Sequence, residues 1–545
     1  MHDLFCGACG LRFGSPTPQC PRCGALTTPI PTQPISTIPN QPTTMYPAPF
    51  SPNTATQLTA AAQKKWRPKR PLVIACAAAL ILVLGGLLLL VRSQTPTRHG
   101  TTPFSTTIGG ITYSLGITDG SNGPDPFASN DLNQIEVLGL IFTANKQIAA
   151  SDNHFTVILN ATLSRSNTDQ DQSESIGVEQ LRGAYLSQLD YNAVSSVKMR
   201  ILVANIGTKP IADQAAAQVS EQIVDYEKNA PSYDHFVGVE GFPFSRTVTY
   251  GLPTLAANGN CLPVISPSAS SDTLNDKVSS CFHRVISPDS WQNPYEVDFI
   301  RSLNLSSRTI LLSADTDDTY SVDFASFMKT QLSTDGYQVV EIDYKESSSS
   351  IANFLVQVSA QEGQGVVFGL WMDTGYPTQL SQIRDGAAAQ GIPLPTAMGG
   401  GAFYEVKGYA AGDFTNEYFS STVYGDGPNQ LQEAFQAQYR LIYHKDSLPK
   451  QLSLTQAMLE YDAFSAFQKA VGRSSDLTPL AVEQSLESLS FTGITGPIHF
   501  GSADSNPGNN RPLYILCAKN GTVHWLVEYI TLTKKIMGEP LSVCS

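Results

Sequence analysis

The sequence predicts an α/β fold with two parallel, helix-covered sheets, carried behind one membrane span and a small cysteine-rich head. Three observations predict it. Strand-like and helix-like segments alternate from about Ile108 onward. One uncharged apolar run, Pro71–Val91, divides the chain. Two Cys-x-x-Cys knuckles stand near the N-terminus. At 545 residues the chain is too long for one compact core, so two or more domains are expected.

The knuckles fall in CGACGLRFGSPTPQCPRC, residues 6–23. Each pair, Cys6 with Cys9 and Cys20 with Cys23, is followed by a glycine that permits a tight turn. Four thiolates at this spacing suit one tetrahedral Zn2+ in a closed, structural site, so residues 1–26 read as a zinc ribbon. A redox dithiol fits less well, because nothing nearby suggests a thioredoxin-like fold. Residues 27–70 are rich in Pro and Thr and cannot bury a core; they read as an extended linker. The linker ends in Lys64, Lys65, Arg67, Lys69 and Arg70.

The run PLVIACAAALILVLGGLLLLV then reaches about 30 Å as a helix, the thickness of a bilayer core. The cations precede it, which predicts a cytoplasmic N-terminus and an extracellular C-terminal domain of a single-pass cell-membrane protein. A cleaved signal peptide would start near residue 1. Val73–Cys76 superficially fits a lipoprotein box, but the apolar stretch follows Cys76 instead of preceding it. Residues 92–107 read as a second linker.

The net charge of −13 hides a split. Residues 1–92 carry eight Lys/Arg against one Asp, whereas the remainder carries 26 Lys/Arg against 46 Asp/Glu. An acidic outer domain argues against nucleic acid as its partner. That domain holds four cysteines. Pairing sequence neighbours gives Cys261–Cys281 and Cys517–Cys544, with two other pairings and free thiols left open.

Within the outer domain, FTVIL (Phe155–Leu159) and MRILVA (Met199–Ala204) read as buried strands. Between them Val178, Leu181, Tyr185 and Leu189 recur at helical spacing. Ala215–Glu227 reads as helix, then Phe236–Val239 and Cys261–Ile265 as strands. A second set follows: helix Val297–Leu303, strand Thr309–Leu312, helix Phe324–Leu332, strands Gln338–Ile342 and Gly365–Phe368, helix Pro377–Gln390. Such alternation implies parallel sheets covered by helices.

Five stretches in order carry a resemblance. They are Gly183-Ala184-Tyr185, LPVISPSASSDTL (Leu262–Leu274), FHRVISPDSWQ (Phe282–Gln292), Tyr461-Asp462-Ala463, and FTGITGPIHF (Phe491–Phe500) followed by LYILCAKNG. Residues 153–535 resemble the type I periplasmic binding proteins of the branched-chain amino-acid receptor group, substrate-binding proteins of ABC importers. The resemblance implies two hinged lobes over residues 108–545. Lobe 1 would comprise about 108–286 and 423–490, and lobe 2 about 287–422 and 491–545. It also implies a small-molecule ligand in the cleft and an ABC permease as partner.

By the same resemblance, Ser245, Thr247, Ser268 and Ser270 would hold a ligand carboxylate, Tyr320 falls where the family places an aromatic ligand-binding residue, and Trp371 would wall the pocket. The amino-acid binders place an acid at a strand end that here reads Met398-Gly399-Gly400-Gly401. Asp289 or Glu405 would have to compensate for that lost charge-assisted contact. Asp315, Asp317 and Asp318 lack the glycine and closing glutamate of a calcium loop. Neither G-x-S-x-G nor H-E-x-x-H occurs, and the outer domain shows no cofactor motif, so an enzyme is not expected. A solute receptor, a sensor signalling to a cytoplasmic partner and a ligand-free scaffold remain the three readings.

Overall fold

The computed structural model describes residues 4–5, 12–13, 101–108, 110–148, 153–163, 173–207, 211–274, 281–304, 308–316, 318–343, 356, 367–371, 386–391, 396–399, 417–423, 430–443, 454–501, 511–519, 522–531 and 534–544. The chain divides into two compact units, Met1–Thr97 and Arg98–Ser545. In the first, strands β1 (Leu4–Phe5) and β2 (Arg12–Phe13) pair antiparallel, Leu4 opposite Phe13. They flank Cys6 and Cys9 in sequence. The four knuckle cysteines, the 27–70 linker and the 71–91 run lie outside the described residues. Among the described residues, no helix is long and apolar enough to cross a membrane.

The second unit holds two lobes. The first is built on a seven-stranded sheet in the order β3-β4-β6-β5-β7-β8-β9. Its strands are β3 (Phe104–Ile108), β4 (Ile111–Thr118), β5 (His154–Ala161), β6 (Lys198–Asn205), β7 (Phe236–Gly241), β8 (Val264–Ser266) and β9 (Phe282–Arg284). The β3–β4 hairpin joins β6 antiparallel; the other pairs are parallel. Helices α1 (Leu132–Gln147), α2 (Ser173–Val194), α3 (Ala212–Asn229) and α4 (Ser245–Ala256) connect them.

Every residue of β5 is buried, which explains its continuous apolar reading. Phe155, Val157 and Leu159 enter one core and Ile158 enters the core on the opposite face. Burying each such side chain contributes about 1.5–3 kcal/mol. Within the stretch expected to end the 92–107 linker, β3 pairs locally with β4 despite its Ser/Thr content, and the Thr101 and Thr102 carbonyls accept from Asn122 and Gln222.

The chain enters the second lobe through α5 (Asp289–Ser302). There β10 (Thr309–Ala314), α6 (Thr319–Thr334), β11 (Gln338–Asp343), β12 (Val367–Trp371), β13 (Thr396–Gly399) and β14 (Glu417–Ser421) build the parallel half of an eight-stranded sheet. It returns through α7 (Gln430–Tyr443), α8 (Thr455–Val471) and α9 (Pro479–Leu486), whose apolar faces complete the first core. The hairpin of β15 (Ser490–Gly493) and β16 (Gly496–His499) follows. Antiparallel strands β17 (Leu513–Lys519), β18 (Thr522–Thr531) and β19 (Lys534–Met537) then finish the second sheet. Three passages between lobes result.

The β15–β16 hairpin corrects the expected boundary at 490, because Leu489, Ile494, Ile498 and Phe500 belong to the first core. Its turn is held by Asp462 of α8, which accepts from the Ile494 and Thr495 amides at 2.8 and 2.7 Å. The Tyr461-Asp462-Ala463 triplet and FTGITG are thus one structural unit. Likewise α2 crosses α8 at Gly183, where an added Cβ would lie 2.2 Å from the Ala457 carbonyl oxygen. Disulfides join Cys261 to Cys281, with Cα atoms 5.7 Å apart, and Cys517 to Cys544, 6.3 Å apart.

Candidate functional site

Strands β7 and β8 are parallel neighbours, so the loops after them, residues 242–244 and 267–271, leave the same edge of the first sheet. In open α/β sheets that carboxyl edge is where ligands bind. Gly241 makes the exit turn at φ 113°, and a Cβ there would meet the Asn160 carbonyl oxygen at 2.1 Å. The two loops are stitched together. Ser266 Oγ donates to the Phe242 carbonyl at 2.9 Å and accepts from the Ala269 amide at 3.0 Å. Ser268 Oγ donates to the Pro243 carbonyl at 2.8 Å. Ser245 Oγ accepts from the Ser271 amide at 3.1 Å.

Ser245 opens α4, and no side chain caps that helix. Its first-turn amides and helix dipole therefore offer positive potential beside the stitched loops. Thr247 does not add a hydroxyl there. It is fully buried and donates to the Phe244 carbonyl at 2.7 Å within its own turn.

The first passage between lobes sits directly below. The Asp272 carboxylate accepts from the Ser290 amide and hydroxyl, both at 2.7 Å, and so caps α5. The Asp289 amide donates to the Ser270 carbonyl at 2.9 Å. The Asp289 side chain is fully buried, and that burial pushes its carboxyl well above the usual range; Asp272 and Asp323 add to the rise, while the Ser270 hydroxyl and Arg284 oppose it. Arg284, also fully buried, donates to the Ser271 carbonyl at 2.9 Å.

The second lobe meets this loop through α6. Asp323 accepts from Ser271 Oγ at 2.8 Å and from the Asp272 amide at 2.6 Å. Asp318 caps α6 through the Ser321 amide and hydroxyl. The Tyr320 ring packs in the second core against Phe324, centroids 5.5 Å apart. Trp371 ends β12 in register with Ala314, at the carboxyl edge of the second sheet. Glu405 lies outside the described residues.

The structure thus gathers Ser245, Ser268, Ser270 and Asp289 around one lobe junction. The sequence reading missed Asp272, Arg284 and Asp323. Asp272 had a local signal, a serine-rich stretch that could need an acid cap. Asp323 had none, because its partners are about fifty positions away.

Beneath β7, the carboxyl of Glu240 faces Glu460 of α8, and both are fully buried. Gln180 Nε2 donates to Glu460 at 3.1 Å. Burial pushes both acids up, and for Glu240 the neighbouring Glu460 adds to the rise. One proton shared between them satisfies the pair.

Two α/β lobes joined by three passages, with stitched loops at the carboxyl edge beside the first passage, have the architecture of a solute-binding fold. The family model described as "Periplasmic binding protein" matches residues 233–522, more than half of the chain, and the chain belongs to that family. Solved structures of the same fold include leucine binding protein LivK from Thermotoga maritima, 17% identical, TM-score 0.56, covering 69% of this chain and 98% of that one. An ABC-transporter solute binding protein from Rhodopseudomonas palustris, in complex with 3,4-dihydroxy benzoic acid, is 14% identical, TM-score 0.56, covering 72% and 99%. A fatty acid ABC transporter substrate-binding protein from Thermomonospora curvata is 14% identical, TM-score 0.56, covering 72% and 96%. No curated protein matches the chain.

Proposed function

We propose that this protein is a receptor that delivers a small carboxylate-bearing solute to an ABC permease. The observation that carries the reading is the uncapped N-terminus of α4, stitched into both loops at the lobe junction. That arrangement suits an anionic group. Leucine, dihydroxybenzoic acid and fatty acid, named for the three relatives, share a carboxylate. The buried Asp289 favours its neutral form and is a poor partner for an ammonium group, so a free amino group is not required of the solute.

The protein would be anchored by residues 71–91, with the receptor outside and a zinc ribbon of Cys6, Cys9, Cys20 and Cys23 in the cytoplasm. The basic cluster before the run supports that orientation, and the antiparallel strands beside Cys6 and Cys9 are compatible with a ribbon. In this reading the fold binds and releases, with no bond made or broken.

The test is a thermal-shift panel on the full chain, with leucine, 3,4-dihydroxybenzoate and a medium-chain fatty acid beside their primary amides. A carboxylate should raise the melting temperature and its amide should not. Ser245→Ala should weaken that ligand by about ten- to a hundred-fold, the loss of a charge-assisted hydrogen bond worth about 1.5–3 kcal/mol. Equal shifts from acid and amide, or unchanged affinity in Ser245→Ala, would move the site elsewhere.

A further inference from the structure

Two cysteines, an acid and a histidine converge at the far edge of the first sheet. Cys261 precedes β8, Cys281 precedes β9, and Glu483 comes from α9. The two sulfurs and a carboxylate oxygen of Glu483 lie within 4.8 Å of one another. His283 Nε2 meets Glu483 Oε1 at 2.8 Å. Glu483 and His283 are only 1% and 2% exposed, so this pair is held out of water at a cost. Among the described residues, Glu483 Oε2 and His283 Nδ1 have no hydrogen-bond partner. A disulfide crosslink needs no buried carboxylate beside it. As a disulfide the two sulfurs are bonded and ligate nothing; once reduced they separate to non-bonded contact, and with the adjacent Glu483 carboxylate they supply the three protein ligands of an open tetrahedral site.

We propose that reduction of Cys261–Cys281 converts this cluster into a site for a thiophilic divalent cation of the Zn2+ or Cd2+ class. The ligands are the sulfurs of Cys261 and Cys281 and a carboxylate oxygen of Glu483, with the fourth position open. His283 is a positioning residue that fixes the carboxylate through its ring nitrogen. The chemistry balances. A dithiol reductant gives two electrons and two protons to the disulfide, yielding two thiols and its own disulfide. The cation then displaces both thiol protons to solvent. The site lies on α9 and the β8–β9 edge, apart from Ser245 and Asp323, and stands whether or not a carboxylate solute binds at the junction.

The experiment titrates Co2+ into the full chain carrying Ser at Cys6, Cys9, Cys20 and Cys23, before and after reduction by dithiothreitol followed by its removal under anaerobic conditions. The reduced chain should bind one equivalent with a sulfur-to-cobalt charge-transfer band, and the oxidised chain should not. Cys261→Ser should remove the band. Glu483→Gln should weaken binding at least tenfold. A second readout needs no new variant: Zn2+ should slow alkylation of Cys281 in the reduced chain, followed by peptide mass spectrometry. An identical band in Cys261→Ser, equal binding to the oxidised chain, or alkylation of Cys281 unaffected by Zn2+ would each overturn the proposal.

Discussion

Asp462→Ala should cost the receptor domain about 3–5 kcal/mol, the scale of removing a buried, multiply bonded charged group. The carboxylate is 1% exposed and accepts from the Ile494 amide, the Thr495 amide and the Thr495 hydroxyl. Its removal would leave these donors unpaired in a dry turn. The damage would spread, since the fully buried Arg511 also donates to Thr495 Oγ1, at 2.8 Å. The hairpin cannot close over the gap without moving Ile494 and Ile498 out of the first core. Asp462→Asn keeps one acceptor oxygen and should cost clearly less. Urea unfolding of the two variants measures the difference, and a loss below about 1 kcal/mol for Asp462→Ala would show the hairpin to be held by its apolar contacts alone.

The second large effect is on pH dependence. Glu240, Glu460, Asp289 and Asp462 all have carboxyls raised by burial above their ordinary values. In the window above the ordinary carboxylate range the folded state therefore binds more protons than the unfolded chain. Stability must fall as pH rises through that window and be fully restored below it. The domain should be more stable at about pH 5.5 than at about pH 8, by at least about 2 kcal/mol. Glu240→Gln should flatten this slope and raise stability at neutral pH. The amide donates to Glu460 without competing for a proton. Urea midpoints across the pH range measure both effects. A slope unchanged by Glu240→Gln would assign the dependence to the other acids.

Much of the fold was legible because its strands are buried on both faces. Phe155–Leu159 and Met199–Ala204 read as strands since no alternation was needed. Leu181 faces the core as its spacing implies, but Leu189 at the same helical spacing is 36% exposed. The expected strand Cys261–Ile265 starts only at Val264, because Cys261 is committed to its disulfide and Pro263 has no amide to donate. Of the expected Gly365–Phe368 strand, Val367 and Phe368 fall among the described residues, and both belong to the Val367–Trp371 strand. Of the expected Pro377–Gln390 helix, only 386–390 falls among the described residues, and it is helical.

The site was less legible, for a physical reason. Hydroxyls in a turn look alike in sequence, yet the hydroxyl of Thr247 is spent on its own helix while Ser245 faces a neighbouring loop. Tyr320 packs on Phe324 one helical turn later, a contact that the i, i+4 spacing makes legible. The contacts that tie the lobes, Asp323 to Ser271 and Asp272, join segments that no local pattern connects.

The central claim is that a carboxylate solute binds between the lobes and favours their closure by its differential affinity. Pulsed spin-label distance measurement tests it most directly. Labels would sit at the exposed positions Val194 in the first lobe and Met537 in the second, as Val194→Cys and Met537→Cys. The parent chain would carry Ser at Cys6, Cys9, Cys20, Cys23 and Cys76. Saturation with the carboxylate that raises the melting temperature should change the interlobe distance and narrow its distribution, while the matching amide leaves both unchanged. A distribution identical with and without that carboxylate would contradict capture between the lobes.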